Sequence, residues 1–239
     1  MEKEIKQSER IQTSILNGVE RKALVWMASR LPGWVTSDML TWFGVLGSFI
    51  CFLGYVLANI TGEVQWMWLS SLGLVFNWFG DSLDGSVARV RQTQRPLYGY
   101  YLDHNIDCVC EFFMFIGIGL SGLLNLWVAM LAYIIYLQLE VYVAINAKIK
   151  NEFKLTYGGF GPTELRLAII ILNTLMMYVP VFTEYGYDFT IFGHPMHFMV
   201  MDWAGLCICA ILLVAYLVSF FSDLRYFAKL DPLHKPEAK

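Results

Sequence analysis

Residues 79 to 107, FGDSLDGSVARVRQTQRPLYGYYLDHNID, place Asp81, Asp84, Asp103 and Asp107 inside two segments that are otherwise strongly apolar. A lone aspartate at the middle of a bilayer costs roughly 2.5 to 3.5 kcal/mol, so four of them need a compensating use. On a helix, Asp81, Asp84, Gly85, Ala88 and Arg89 share one stripe, and Gly99, Asp103 and Asp107 share another. Within each stripe the carboxylates stand one turn apart, about 4.5 to 6 Å along the axis. The short connection between the two segments makes them antiparallel neighbours, so the stripes can face each other.

Facing carboxylates must be protonated, paired with bases, or bridged by bound cations. Arg89, Arg91 and Arg95 are too few, and they lie beyond the aspartates toward the water. An all-oxygen donor set selects hard cations, Mg²⁺ with Mn²⁺ or Ca²⁺ as substitutes, and argues against zinc. Two divalent ions would balance four carboxylates and match the two-metal clamp used on phosphorus. Gly85, Ala88 and Gly99 leave room beside the stripes for a flat or phosphorylated ligand. Arg89, one turn past Asp84, offers a fork of donors to phosphate oxygens. The residues therefore describe a metal-assisted site for a diphosphate.

The elements that position this chemistry follow from composition. The chain is 57% hydrophobic and 15% charged, with a mean hydropathy of +0.51, whereas soluble domains are about 25% charged. The apolar residues gather into blocks of about 20, the length that crosses a hydrocarbon core of roughly 30 Å. Six such blocks, 41–60, 66–89, 97–119, 123–147, 163–182 and 199–222, predict an all-α membrane protein with six transmembrane helices. Ahead of them Val19, Ala23, Leu24, Trp26, Met27 and Leu31 recur at helical spacing, predicting an interfacial amphipathic helix that Pro32 and Gly33 end. The expected organisation is a cytoplasmic N-terminal segment 1–35, a transmembrane catalytic domain 36–224 and a cytoplasmic tail 225–239, helical and then disordered.

Lysine and arginine concentrate in the terminal segments and in connections 90–96 and 148–162, while the opposite connections carry none. By the positive-inside rule both termini and the aspartate cluster are cytoplasmic. The polar start lacks the apolar core of a cleavable signal. The two C-x-C pairs, Cys108 with Cys110 and Cys207 with Cys209, point to different helix faces, so no metal or disulfide framework is read from them. A net charge of -3 gives no sign of a nucleic-acid partner.

Other polar residues carry weaker signals. Thr163 can cap the fifth spanning helix, and Arg166 one turn inside it can reach an acceptor or snorkel to headgroups. Gly158, Gly159 and Gly161 mark a mobile loop, and Lys148, Lys150 and Lys154 can attract anionic lipid. Glu111 extends the Asp103–Asp107 stripe, and Glu140 lies within the fourth block; each is either a site residue or a packed carboxyl. His104 lies off the stripe and is read as a bystander, and Trp66 and Trp68 as interface residues.

The paired strings DSLDGSVAR and GYYLDHNID, nine residues apart, resemble the signature of the CDP-alcohol phosphotransferase family, and every fixed position of that signature is present. The resemblance implies a multi-pass membrane enzyme of phospholipid biosynthesis, a homodimer with a cytoplasm-facing cavity. It would move a substituted phosphate, foremost phosphatidyl from CDP-diacylglycerol, to an acceptor alcohol and release CMP. By motif position Asp81, Asp84, Asp103 and Asp107 would hold two Mg²⁺ or Mn²⁺ ions, Asp107 would also be the general base, and Gly85, Ala88, Arg89 and Gly99 would line the CDP pocket. Two departures stand out. Where family members often carry Pro-Asn this chain has Ser37 and Asp38, leaving Thr36 and Asp38 as cytidine contacts. Where many carry Ser or Thr it has Arg95, so that the phosphate contact is either lost or taken over by Arg95. An aspartate-rich intramembrane prenyltransferase is the competing reading. A cation transporter is weaker, because no internal repeat is visible.

Overall fold

The computed structural model of the protein describes residues 9–11, 16–150, 152–154, 161–191 and 193–233. The expected mobile glycines 158 and 159, the side chain of Lys154 and the final residues of the expected disordered tail lie outside the described residues. The chain starts with strand β1 (Glu9–Ile11) and helix α1 (Asn17–Arg30), then α2 (Ser37–Thr61), a 3-10 turn at Val64–Trp66, and α3 (Met67–Val90). Helices α4 (Pro96–Leu120) and α5 (Leu126–Lys150), strand β2 (Glu152–Lys154) and helix α6 (Pro162–Tyr178) follow. A short α7 (Val181–Glu184), hairpin strands β3 (Gly186–Ile191) and β4 (His194–Met199), and α8 (Val200–Leu230) complete it.

Helices α2 to α6 and α8 occupy the six apolar blocks. Three of them, α2, α5 and α8, are long and apolar enough to cross a membrane. Helices α3 and α4 carry the acidic stripes, which lower their apolarity, and α6 has only 17 residues. This is a helical membrane protein, and the structure adds three features to the sequence reading. The last helix runs unbroken to Leu230, so the helix expected in the tail continues the last apolar block. Within this helical architecture the connection between the last two blocks pairs as a small hairpin, Gly186 opposite Met199 through Ile191 opposite His194. Phe189, Phe198 and Trp203 then cluster edge to face at its base.

The third concerns α1, whose apolar residues do not all lie on one face. Leu24 and Ala28, with Met27 and Leu31, pack on Leu83 and Val87 of α3 and Leu40 of α2. Val19 is 74% exposed and Trp26 58% exposed on other sides. The apolar residues serve two environments at once, so the counted spacing mixes them.

The bundle is built on the α2–α3 pair. Thr36 caps α2 by accepting from the Met39 amide at 3.2 Å, and Gly62, at φ 72°, ends it in the left-handed region. Gly47 and Gly73 let the two backbones touch: a Cβ on Gly47 would stand 2.8 Å from the Gly73 carbonyl oxygen. Inside this contact Asn77 donates to Ser48 at 2.9 Å and to the Gly44 carbonyl at 3.2 Å. Helix α6 joins through the buried Asn173, which accepts from Tyr55 at 2.8 Å and donates to Ser71 at 3.1 Å. Buried side-chain hydrogen bonds of this kind fix rotation as well as contact, although Asn77 Oδ1 is itself enclosed without a partner.

Helix α8 is held by its ends. Asp202 accepts from the Met199 amide at 2.7 Å and from the Asn125 amide at 2.6 Å, stapling the α4–α5 turn to the start of α8. At the other end Asp223 accepts from Tyr142 at 2.6 Å and Lys150 at 2.7 Å. Lys150, read as a headgroup contact, is therefore paired within the protein.

Candidate active site between α3, α4 and α6

The seven-residue advance from Asp81 to Ala88 on α3 and the four-residue steps on α4 put the acidic stripes where the sequence predicts. Carboxylate oxygens of Asp81, Asp103 and Asp107 all lie within 4.8 Å of one another, contributed by two helices. Each of the three is half-buried. Three hard oxygen donors at this spacing suit Mg²⁺ or Mn²⁺ and offer nothing that a soft metal would prefer.

Asp84 stands outside that group of three. Its Oδ2 accepts from Thr41 Oγ1 at 2.7 Å, its Oδ1 meets the Gly85 amide, and its carbonyl accepts from Ser37 Oγ at 2.9 Å. A carboxylate has about four lone-pair sites, so these contacts leave coordinating capacity. Thr41 was missed in the sequence, although Ser37 and Thr41 are one turn apart on an otherwise apolar helix start.

Arg166 is brought into the site directly: its guanidinium pairs with Asp81 Oδ2 at 2.6 Å, with only 13% of its side chain exposed. The headgroup-snorkelling alternative for Arg166 is thereby set aside. Arg89 lies exposed at the end of α3, where its guanidinium donates to Ser86 Oγ at 3.0 Å. A Cβ on Gly85 would come within 3.1 Å of that guanidinium. Gly99 opens onto free space on α4, and Ala88 is half-buried beside Arg89.

Asp38 and Arg95, expected separately at cytidine and phosphate, meet each other in an exposed ion pair. Arg95 also stacks over the Tyr98 ring at 3.9 Å. The Asp38 hydrogen bond raises the guanidinium pKa further above its usual value, so Arg95 stays charged at any working pH. Thr36 spends its hydroxyl on the α2 cap. Arg91 turns back rather than outward, donating to the Leu31 and Pro32 carbonyls at 3.0 and 2.9 Å and to Val35. It clamps the α1–α2 linker to the end of α3.

Deeper in the bundle Glu140 accepts from Cys108 Sγ at 3.5 Å, and one Glu111 carboxyl oxygen is enclosed without a hydrogen-bond partner. His104 packs on Tyr100, ring centroids 4.0 Å apart and Nδ1 3.1 Å from its carbonyl. Thr163 does not cap α6; Glu164 does, accepting from the Gly161 amide at 3.0 Å, and Thr163 points to α1 instead.

Similarity to known proteins bears on this geometry. The sequence model of the CDP-alcohol phosphatidyltransferase family matches residues 34–211. Cholinephosphotransferase 1 of Danio rerio is 26% identical over 65% of this chain and 42% of its own length. Cholinephosphotransferase 1 of Gallus gallus is 26% identical over 62% of this chain and 45% of its own. A phosphatidylinositol phosphate synthase of Cutibacterium acnes is 31% identical over 40% of this chain and 45% of its own. The matched region thus spans less than half the length of each of these relatives.

Proposed function

The chain belongs to the CDP-alcohol phosphatidyltransferase family, and from that premise we propose that it moves a substituted phosphate from a CDP-linked alcohol to an acceptor alcohol, releasing CMP. The donor is CDP-diacylglycerol and the group moved is phosphatidyl. The observation that carries the reading is the convergence of Asp81, Asp103 and Asp107 from two helices to within 4.8 Å, beside a guanidinium from a third.

The donor set fits Mg²⁺ or Mn²⁺, held by the trio with Asp84 as the fourth carboxylate of a two-ion site. Bound there, the metal supplies charge neutralisation of the diphosphate and of the departing CMP. The chain's own groups do the rest. Arg89 binds diphosphate oxygens through its planar fork. Gly85, Ala88 and Gly99 border the nucleotide, with Thr36 and Asp38 at its cytidine end and Arg95 near its phosphates. Asp107 takes the proton of the acceptor hydroxyl. The acceptor oxygen forms its bond to the phosphorus bearing the lipid alcohol as the bond from that phosphorus to the CMP oxygen breaks. Arg166, one turn into α6, holds the acceptor.

The protein sits in the bilayer as a homodimer, with both termini and the cavity facing the cytoplasm and α1 in the headgroup layer. The family membership argues against the prenyltransferase and transporter readings. Relatives named for cholinephosphate transfer and for phosphatidylinositol phosphate synthesis make the donor a point to test. Purified protein with radiolabelled CDP-diacylglycerol, or CDP-choline in its place, and a panel of alcohols should release CMP only with divalent metal present. Absence of CMP with every donor and acceptor sinks the proposal.

A further inference from the structure

Glu20, on α1, closes a circuit of contacts that runs through the site. Its Oε1 accepts from Trp78 Nε1 at 2.8 Å and from Thr163 Oγ1 at 2.6 Å. Trp78 stands one turn before Asp81 on α3, and Thr163 one turn before Arg166 on α6. Asp81 and Arg166 are themselves paired at 2.6 Å. Helices α1 and α6 are tied once more, where the Leu16 amide at the start of α1 donates to Glu164 at 3.0 Å, and β1, ahead of α1, pairs in parallel with β2, which follows α5.

Packing of Leu24 and Ala28 already suffices to seat α1 on α3. A carboxylate oxygen shared by an indole and a hydroxyl from two other helices does something more specific. It ties the advance of one helix to that of the other. We propose that Glu20 is a positioning residue: through Trp78 and Thr163 it sets the register of α6 against α3 and thereby holds Arg166 where it meets Asp81 and the acceptor. This inference rests on the transferase reading above, in which Arg166 contacts the acceptor.

The test uses the full chain in lipid nanodiscs, with CDP-diacylglycerol and the panel alcohol that gives CMP release. Glu20→Ala should raise the acceptor KM about tenfold and leave the donor KM within about twofold. Glu20→Gln, whose amide oxygen still accepts, should recover most of the loss. Added to Arg166→Ala, Glu20→Ala should cost nothing further, because both act on one contact. Equal effects on donor and acceptor, no rescue by glutamine, or additive losses overturn the proposal.

Amide hydrogen exchange on the same preparations needs no turnover. Glu20→Ala should speed exchange in residues 162–168 and leave 126–150 unchanged, and unaltered exchange in 162–168 overturns the proposal. A wild-type protein that releases no CMP would sink the transferase reading instead, and exchange alone would then decide whether Glu20 sets the register.

Discussion

Asp107 stands one turn deeper along α4 than Asp103 and belongs to the same trio as Asp81. Replacing its carboxylate by an amide keeps the volume but removes the proton acceptor. Asp107→Asn should therefore lower turnover by roughly 10² to 10⁴, while binding of CDP-diacylglycerol, measured by equilibrium dialysis, persists. Unchanged turnover would remove Asp107 from the base role. Thr41 acts one contact away: its hydroxyl holds Asp84 Oδ2 at 2.7 Å. Thr41→Val should weaken Mn²⁺ binding about tenfold, read by calorimetric titration, with the helix content of the protein unaltered. Arg95 and Asp38 are 54% and 36% exposed at their side chains, where an ion pair adds little stability. Arg95→Ser should raise the donor KM without moving the unfolding temperature, and a lowered temperature would assign the pair to architecture.

At the scale of elements, α2 and α3 meet where glycine alone fits. Gly47→Val places branched carbon against the backbone of α3, since even one Cβ would come within 2.8 Å of the Gly73 oxygen. Overpacking of this kind costs about 1 to 3 kcal/mol, visible as a lowered midpoint in thermal unfolding; a midpoint equal to wild type would mean the helices separate freely. The acidic stripes on α3 and α4 were legible in the sequence because their chemistry repeats at helical spacing within an apolar background. Arg166 was legible only as an alternative, since its pairing with Asp81 bridges residues 85 positions apart. Glu20 and Thr41 were not, because a single polar residue near a helix start has many ordinary uses. The hairpin carried a readable sign, Tyr187, Phe189 and Ile191 alternating with Asp188 and Thr190 ahead of Gly193. The alternation is short and sits between two membrane helices, where its length suits a plain connection equally well.

The whole molecule is a helical bundle whose chemistry depends on charge brought together from α3, α4 and α6. Stripping divalent cations with a chelator should abolish CMP release; Mg²⁺ or Mn²⁺ should restore it and Zn²⁺ should not. Activity that survives chelation would leave the trio without its proposed use. The number of spans was less legible than their positions. Among the described residues only α2, α5 and α8 qualify by length and composition; α3 and α4 give up apolar residues to the acidic stripes, and α6 is short at 17 residues.

The bond from Thr163 to Glu20 joins residues 143 positions apart, and β1 meets β2 across a similar interval. During synthesis the first helix leaves the ribosome before its anchorage on α6 exists. It must wait beside the growing bundle until residue 163 has been made. The arm can pack on α3 early but gains its tie to α6 only then, so the Arg166 side of the acidic centre is completed after its carboxylates are in place.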